Sequence, residues 1–124
     1  MLVVEDEALV AMELADVLQQ QSCRVVGSVG SVDRALTLLE TQQPDAALLD
    51  FNLRGKSALP VALALNERGV PFLVISGYSK AQSGNQKLGE VRWLTKPVSH
   101  AELVQALKQM FASTHQPDRV ENST

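Results

Sequence analysis

Residues 46–53 read Ala-Ala-Leu-Leu-Asp-Phe-Asn-Leu. The first four residues form an apolar run, which ends at the carboxylate of Asp50. The run is too short for a helix and has no polar face, which is typical of a strand buried on both sides in a parallel sheet. Ligands of open parallel sheets bind beyond the carboxyl ends of the strands. The stretch therefore predicts a parallel α/β sheet with Asp50 at its ligand-binding edge.

Four further apolar runs, at residues 2–4, 24–29, 72–75 and 91–94, alternate with longer segments that have helical spacing. The apolar helix stripes comprise Leu9, Met12, Leu14, Val17 and Leu18; Val32, Ala35, Leu36 and Leu39; and Leu103, Val104, Leu107, Met110 and Phe111. Five βα units in sequence predict a doubly wound, flavodoxin-like α/β fold with a five-stranded parallel sheet in the order 2-1-3-4-5.

Local signals mark where the helices begin and end. Ser31 is placed to cap the second helix through its hydroxyl. Ser99, with Glu102 three residues later, predicts a capping box at the start of the last helix. Gly69, followed by Val70-Pro71, predicts the end of the helix that precedes the fourth strand.

Two segments have weak structural signals. Residues 79–90, where a fourth helix is due, contain Gly84 and Gly89 and almost no apolar stripe, so we expect a short or disordered helix there. Residues 114–124 are polar and have no apolar period, and we expect a disordered tail. The remaining residues, 1–113, are predicted to form a single domain.

Composition excludes several classes of protein. A chain of 124 residues suits one domain, and its net charge of -3 argues against nucleic acid as the main partner. The single cysteine, Cys23, excludes an intramolecular disulfide. No leading signal segment and no apolar run of membrane-spanning length occur, so we expect a cytoplasmic protein without a membrane partner.

Polar side chains follow four of the predicted strands. The four groups are Glu5-Asp6-Glu7, Asp50-Phe51-Asn52, Ser76-Gly77-Tyr78 and Thr95-Lys96-Pro97. Because parallel strands end at the same edge, these groups are predicted to meet in one crevice. Carboxylates brought together repel unless a cation lies between them, and oxygen ligands suit Mg²⁺ or Mn²⁺. Asp50 is a candidate nucleophile toward phosphorus, and Lys96 and Ser76 are candidates to bind phosphoryl oxygens.

The four motifs, each placed after a strand, resemble those of response regulator receiver domains, and the resemblance covers residues 2–112. It implies that Glu5, Asp6, Asp50 and the main-chain carbonyl of Asn52 bind the metal. It also implies that Asp50 is phosphorylated and that Ser76 and Lys96 contact the phosphoryl group. In this family the aromatic position at Trp93 moves together with the Ser76 position on activation, and the Lys96-Pro97 peptide bond is expected to be cis.

A narrower resemblance is to the single-domain receivers called FAT GUY, through residues 69–78 and Asn52-Leu53-Arg54-Gly55. That subfamily is named for a Phe-Ala-Thr-Gly motif, where this chain has Val74-Ile75-Ser76-Gly77, so Ser replaces Thr and the Phe is missing. The subfamily tends to have a disordered fourth helix, which agrees with the weak signal at residues 79–90.

Several residues have a second interpretation. A negative turn that complements a helix dipole explains Glu7 but not Asp6. Trp93 is also compatible with ordinary packing, and Arg54-Gly55-Lys56 with either a solvated loop or a kinase-docking contact. Gly77 is either a turn glycine or the small residue that leaves the mouth of the crevice open. Tyr78 is hypothesised to slow hydrolysis of the phosphoryl group through its bulk.

The function that these residues indicate is phosphoryl relay without enzymatic turnover of a substrate. A histidine kinase or phosphotransfer protein is expected to phosphorylate Asp50, and a downstream protein target to read the result, with the domain standing alone and lacking a DNA-binding output. The alternative is a receiver-fold interaction module that works without phosphorylation. An aspartyl phosphohydrolase is disfavoured because Asn52 stands where such enzymes carry a second acid, and an amide does not transfer protons.

Overall fold

The computed structural model describes residues 1–77 and 91–122. The elements are β1 (Leu2–Val4), α1 (Ala8–Gln20), β2 (Gly27–Val29), α2 (Val32–Thr41), β3 (Ala47–Asp50), β4 (Asn52–Leu53), β5 (Lys56–Ser57), α3 (Leu59–Glu67), β6 (Phe72–Ser76), β7 (Arg92–Thr95) and α4 (His100–Asn122). The helix predicted over residues 79–90 and the position of Tyr78 lie outside the described residues.

Five strands form one parallel sheet in the order β2-β1-β3-β6-β7. With the short β4–β5 hairpin set aside, this is the predicted order 2-1-3-4-5, and the doubly wound α/β fold is confirmed. Helices α1 and α4 pack on one face of the sheet, and α2 and α3 pack on the other. The strands β1, β3 and β6 are buried on both faces, which is why they are apolar up to the polar residues Asp50 and Ser76 that end β3 and β6.

The predicted helix boundaries are confirmed at the three places where a local signal exists. The Ser31 hydroxyl accepts the Arg34 N–H at 3.2 Å. Ser99 and Glu102 form the reciprocal capping box, with distances of 3.0 and 3.1 Å. Gly69 has a φ of 71°, a left-handed conformation that ends α3 and that glycine adopts without steric cost.

The apolar stripe predicted for α1 is wrong in part. Ala11 and Leu18 are buried, whereas Leu9 is 76% exposed and Met12 is 63% exposed. Successive helical residues are rotated by about 100°, so positions 9 and 12 face away from the side that Ala11 and Leu18 bury. The helix therefore presents two large apolar side chains to solvent, next to the end of β1.

The β4–β5 hairpin was not predicted. Asn52 pairs with Ser57 and Leu53 pairs with Lys56, across a turn of two residues. Both turn residues have positive φ, 53° at Arg54 and 83° at Gly55, which is the pattern of a type I′ hairpin turn. The sequence signal is weak because Asn or Asp, rather than Arg, normally precedes glycine in such turns.

The last helix is longer than predicted. Its backbone is helical to Asn122, although residues 114–124 were expected to be disordered. Except at Pro117, which has no N–H to donate, each residue added to a formed helix gains a hydrogen bond for one residue fixed, so a helix anchored by buried side chains can continue into polar sequence. Its last fully buried side chain is Leu107, among the residues whose side chains are described. The domain boundary at residue 113 stays a prediction.

Candidate functional site

The carboxyl edge of the sheet collects the polar groups predicted to meet there. Glu5 and Asp6 follow β1, Asp50 is the last residue of β3, and Lys96 follows β7. Ser76 is the last residue of β6 and is buried. The register pairs Asp50 with Ile75, so Ser76 extends one residue beyond the phosphoacceptor candidate on the neighbouring strand. The topology alone brings residues from four strands to one place.

Three carboxylates form the centre of the site. One carboxylate oxygen from each of Glu5, Asp6 and Asp50 lies within 4.8 Å of the others. Glu5 is 3% exposed and Asp50 is 4% exposed, whereas Asp6 is half-buried. Since burial and mutual repulsion both penalise negative charge, such a cluster needs compensating cations.

Lys96 supplies one of these cations. Its Nζ lies 3.2 Å from Asp50 Oδ2 and 3.7 Å from Glu5 Oε1. Burial lowers the pKa of Lys96, but the attraction of Asp50 and Glu5 outweighs it, so the pKa lies above its usual value. The Lys96-Pro97 peptide bond is cis, as predicted. The main-chain N–H of Lys96 donates to the Ser76 carbonyl at 2.7 Å and ties β7 to β6.

Glu5 is the least satisfied group of the cluster. Its Oε2 accepts the Glu7 N–H at 3.0 Å. Its Oε1 is buried and has no hydrogen-bond partner among the residues that the structure describes. Burial, together with the charge of Asp50, raises the pKa of Glu5 to about 7, although the Glu7 N–H opposes the shift. A single ammonium therefore does not neutralise this pocket.

These features fit a hard divalent cation. Oxygen ligands within a few ångströms, one of them buried and without a hydrogen bond among the described residues, suit Mg²⁺ or Mn²⁺ at a protein site that shares its ion with a phosphate. Asp50 Oδ1 accepts the Asn52 N–H at 3.1 Å, which fixes the acceptor carboxylate in position. The main-chain carbonyl of Asn52 as a fourth ligand stays a prediction.

An aromatic pair connects the phosphoacceptor candidate with the edge of the sheet. The Phe51 ring, next to Asp50, lies 5.0 Å from the Trp93 ring, centroid to centroid, at an angle of 47°. Trp93 is half-buried on β7. The sequence drew attention to Trp93 but missed Phe51, whose position inside the acidic motif was the available signal.

Three further predicted features, Gly77, Pro97 and the Arg54-Gly55-Lys56 loop, lie outside the acidic cluster itself. Gly77 is exposed, and a side chain at that position would meet no atom within 4 Å among the described residues. Its role at the mouth of the crevice stays a prediction. Pro97 is exposed beside Lys96. The Arg54-Gly55-Lys56 loop is the hairpin turn, and its Arg54 N–H donates to Asp6 Oδ2 at 3.1 Å. Sequence reasoning missed this contact.

A 2-1-3-4-5 parallel sheet whose carboxyl edge holds three clustered acids, a buried serine and a lysine defines the receiver class of signalling domains. The sequence matches the family model of the response regulator receiver domain over residues 1–108, and the chain belongs to that family. Members are in general signalling domains of two-component systems rather than enzymes.

Known relatives agree with this assignment. The chain is 34% identical over 124 residues to the positive alginate biosynthesis regulatory protein of Pseudomonas aeruginosa, covering 97% of this chain and 48% of that protein. It is 28% identical over 110 residues to the transcriptional regulatory protein PdtaR of Mycobacterium tuberculosis, covering 86% of this chain and 54% of the relative. The chain thus spans about half the length of these curated relatives.

Among solved structures, SdrG from Sphingomonas melonis Fr1 is 38% identical, with a TM-score of 0.75, covering 89% of this chain and 93% of SdrG. This match is consistent with the resemblance to the FAT GUY receivers. Within residues 1–77 and 91–122, none of the helices combines the length and the apolar character that crossing a membrane requires. The cytoplasmic location and the stand-alone organisation stay predictions.

Proposed function

We propose that this receiver domain accepts a phosphoryl group on Asp50 from the phosphohistidine of a histidine kinase or phosphotransfer protein. The observation that carries the proposal is the position of Asp50, buried between two further carboxylates and 3.2 Å from the Lys96 ammonium. A buried carboxylate kept beside a cation is poised to act as a nucleophile toward phosphorus.

Each residue has a separate part in the transfer. Asp50 forms the bond to phosphorus while the phosphorus–nitrogen bond of the donor breaks, and its orientation is held by the Asn52 N–H. Glu5, Asp6 and Asp50, with the Asn52 carbonyl, would hold Mg²⁺ or Mn²⁺, which neutralises phosphoryl oxygens when bound. Lys96 then exchanges its carboxylate contact for a phosphoryl oxygen.

The phosphorylated state has a route to the surface. Ser76 is proposed to donate a hydrogen bond from its hydroxyl to a phosphoryl oxygen. Because Phe51 follows Asp50 and packs on Trp93, a displacement of Asp50 would also displace Trp93 on β7. A downstream protein target would bind the changed face near Trp93.

Gly77 and Tyr78, which follow Ser76, are proposed to set how readily water reaches the phosphoryl group.

The kinase or phosphotransfer protein has an apolar surface to contact. A groove of about 630 Å³ lies between α1 and the start of α4, and Lys96 forms part of its wall. The exposed side chains of Leu9 and Met12 lie on the same helix α1 but do not line the groove, and they add apolar contact area outside it. A histidine-bearing helix that packs on this surface would bring its phosphohistidine to the open end of the acidic cluster.

The test is labelling with acetyl phosphate, a small phosphodonor, in the presence and absence of Mg²⁺. We expect intact-mass spectrometry to detect one acid-labile phosphoryl group in the wild type with Mg²⁺, and none in Asp50→Ala or in EDTA. Transfer from a purified phosphorylated kinase extends the test to the natural donor. A folded wild type that takes up no phosphoryl group would instead favour an interaction module that works without phosphorylation.

A further inference from the structure

The β4–β5 hairpin contacts the acidic cluster through its backbone. The Arg54 N–H donates to Asp6 Oδ2 at 3.1 Å, although the two residues are 48 positions apart in the sequence. Asp6 is the most accessible acid of the cluster, because Glu5 and Asp50 are buried and Asp6 is half-buried. Carboxylates that ligate a metal are commonly oriented by hydrogen bonds from groups outside the ligand set.

The conformation of the turn directs the Arg54 N–H toward Asp6. Asn52 Oδ1 accepts the Gly55 N–H at 3.0 Å, and Leu53, between them on the chain, is buried and anchors the first strand of the hairpin. Arg54 has a φ of 53°, a left-handed conformation that residues other than glycine and asparagine adopt at an energetic cost. The hairpin therefore keeps a strained residue whose side chain is exposed and whose N–H points at Asp6.

We propose that the Arg54-Gly55 turn is a positioning element for the metal site. By holding Asp6 Oδ2, it leaves Oδ1 as the oxygen that a divalent cation shared with Glu5 and Asp50 can take. The inference rests on the proposed metal site and adds a structural element to it. Hydrogen bonds to the outer oxygen of a ligating carboxylate orient it, and losing such a contact commonly costs 10- to 100-fold in metal affinity.

Reciprocity follows from this arrangement. If a formed turn strengthens cation binding, a bound cation must stabilise the turn by the same factor. The hairpin, with its exposed basic side chains Arg54 and Lys56, is then more ordered in the metal-loaded domain than in the metal-free one. The metal would thereby shape a surface beside the phosphoacceptor before any phosphoryl group arrives.

Two glycines of this chain provide a matched test. Gly55 and Gly69 both have positive φ, 83° and 71°, and a Cβ at either position would meet no atom within 4 Å among the described residues. Gly55→Ala and Gly69→Ala therefore introduce the same kind of backbone strain without a clash, one in the turn and the other at the end of α3. Both variants are expected to lose comparable stability in EDTA.

Mg²⁺ affinity is measured by calorimetry and by the fluorescence of Trp93, the only tryptophan of the chain. We expect Gly55→Ala to bind Mg²⁺ about three- to ten-fold more weakly, and Gly69→Ala to stay within about twofold of the wild type.

A second pair of variants separates the effect of turn geometry from that of charge, since Arg54→Asn and Arg54→Gln both remove the guanidinium. Asparagine favours positive φ, so Arg54→Asn should bind Mg²⁺ more tightly than Arg54→Gln.

Amide hydrogen exchange in the wild type provides a measurement that needs no variant. Protection of the Arg54 N–H is expected to rise about threefold or more when Mg²⁺ saturates the site, following the reciprocity of the coupling. Equal Mg²⁺ affinities of the two glycine variants, or an Arg54 N–H whose exchange Mg²⁺ does not change, would overturn the positioning role. In those cases phosphorylation of Asp50 by acetyl phosphate would still occur, whereas a wild type without Mg²⁺-dependent labelling contradicts the proposed function itself.

Discussion

Replacing Glu5 with glutamine should stabilise the metal-free protein above neutral pH. The buried Glu5 side chain has one oxygen without a hydrogen-bond partner among the described residues, and it shares the pocket with Asp50. Glu5→Gln keeps the shape of the side chain and an acceptor for the Glu7 N–H, but it removes the charge. In EDTA, the variant therefore isolates the electrostatic cost of burying the Glu5 charge in the acidic cluster.

The magnitude follows from the pKa of Glu5, which burial raises from 4.5 to about 7. A raised carboxyl pKa means that the folded state binds the proton more tightly than the unfolded state. The free energy of unfolding therefore falls as the pH rises between about 4.5 and 7 and levels off above that range. The whole shift corresponds to about 3 kcal/mol, and we expect a measured fall of about 1–3 kcal/mol.

The assay is urea denaturation in EDTA at several pH values from about 5 to 8, with Glu7→Gln as the control. Glu7 is exposed and only two residues away, and the main-chain N–H that it donates to Glu5 is unaffected by the change. At pH 8 we expect Glu5→Gln to exceed the wild type by about 1–3 kcal/mol, and Glu7→Gln to stay within about 0.5 kcal/mol.

Added Mg²⁺ should make the wild type more stable than Glu5→Gln. The cation binds the folded state only, so it stabilises the wild type by RT ln(1 + [Mg²⁺]/Kd), and Glu5→Gln should gain much less because it has lost a ligand. The reasoning is refuted if the stability of the metal-free wild type is constant or rises from pH 5 to 8. It is equally refuted if Glu5→Gln and Glu7→Gln behave alike.

Three further predictions concern the transfer and its readout. Lys96→Met should lower the rate of labelling by acetyl phosphate by about 10²- to 10³-fold, as loss of one preorganised charge contact does, while a Mg²⁺ titration still saturates. Leu9→Ser should slow transfer from the phosphorylated kinase by about tenfold without changing acetyl phosphate labelling, whereas Leu63→Ser, at a site 41% exposed on α3, should change neither. Phe51→Leu should cost about 1–2 kcal/mol of stability and remove most of the change in Trp93 emission on phosphorylation; an unchanged emission response would contradict the ring contact as the route.

The sequence predicted those parts of the fold that depend on local chemistry. Ser31, Ser99 and Gly69 were interpreted correctly because a cap or a left-handed helix end involves only neighbouring residues. The buried strands were recognised because both of their faces are apolar. The convergence of Asp6, Asp50 and Lys96 was also predictable, since parallel strands that end at one edge leave the residues that follow them no other place to meet.

Other features depend on contacts between distant parts of the chain. The apolar residues of α1 predicted a helix but not which of them it buries, because they occupy more than one side of the helix and only the packing against the sheet determines the inward face. The Arg54–Asp6 hydrogen bond joins a turn with weak signals to a residue 48 positions away.

The sequence by itself determined the fold class, the strand order and the identity of the acidic, hydroxyl and ammonium groups at the site, because these follow from local periodicity and the rules of parallel sheets. Only the tertiary structure decided how deeply those groups are buried and which hydrogen bonds and ion pairs they make. Within the described residues, it buries Glu5 with one oxygen that has no hydrogen bond, pairs Asp50 with Lys96 and gives Asp6 a backbone donor. Burial, distance and charge compensation are properties of the packed chain, and no stretch of sequence contains them on its own.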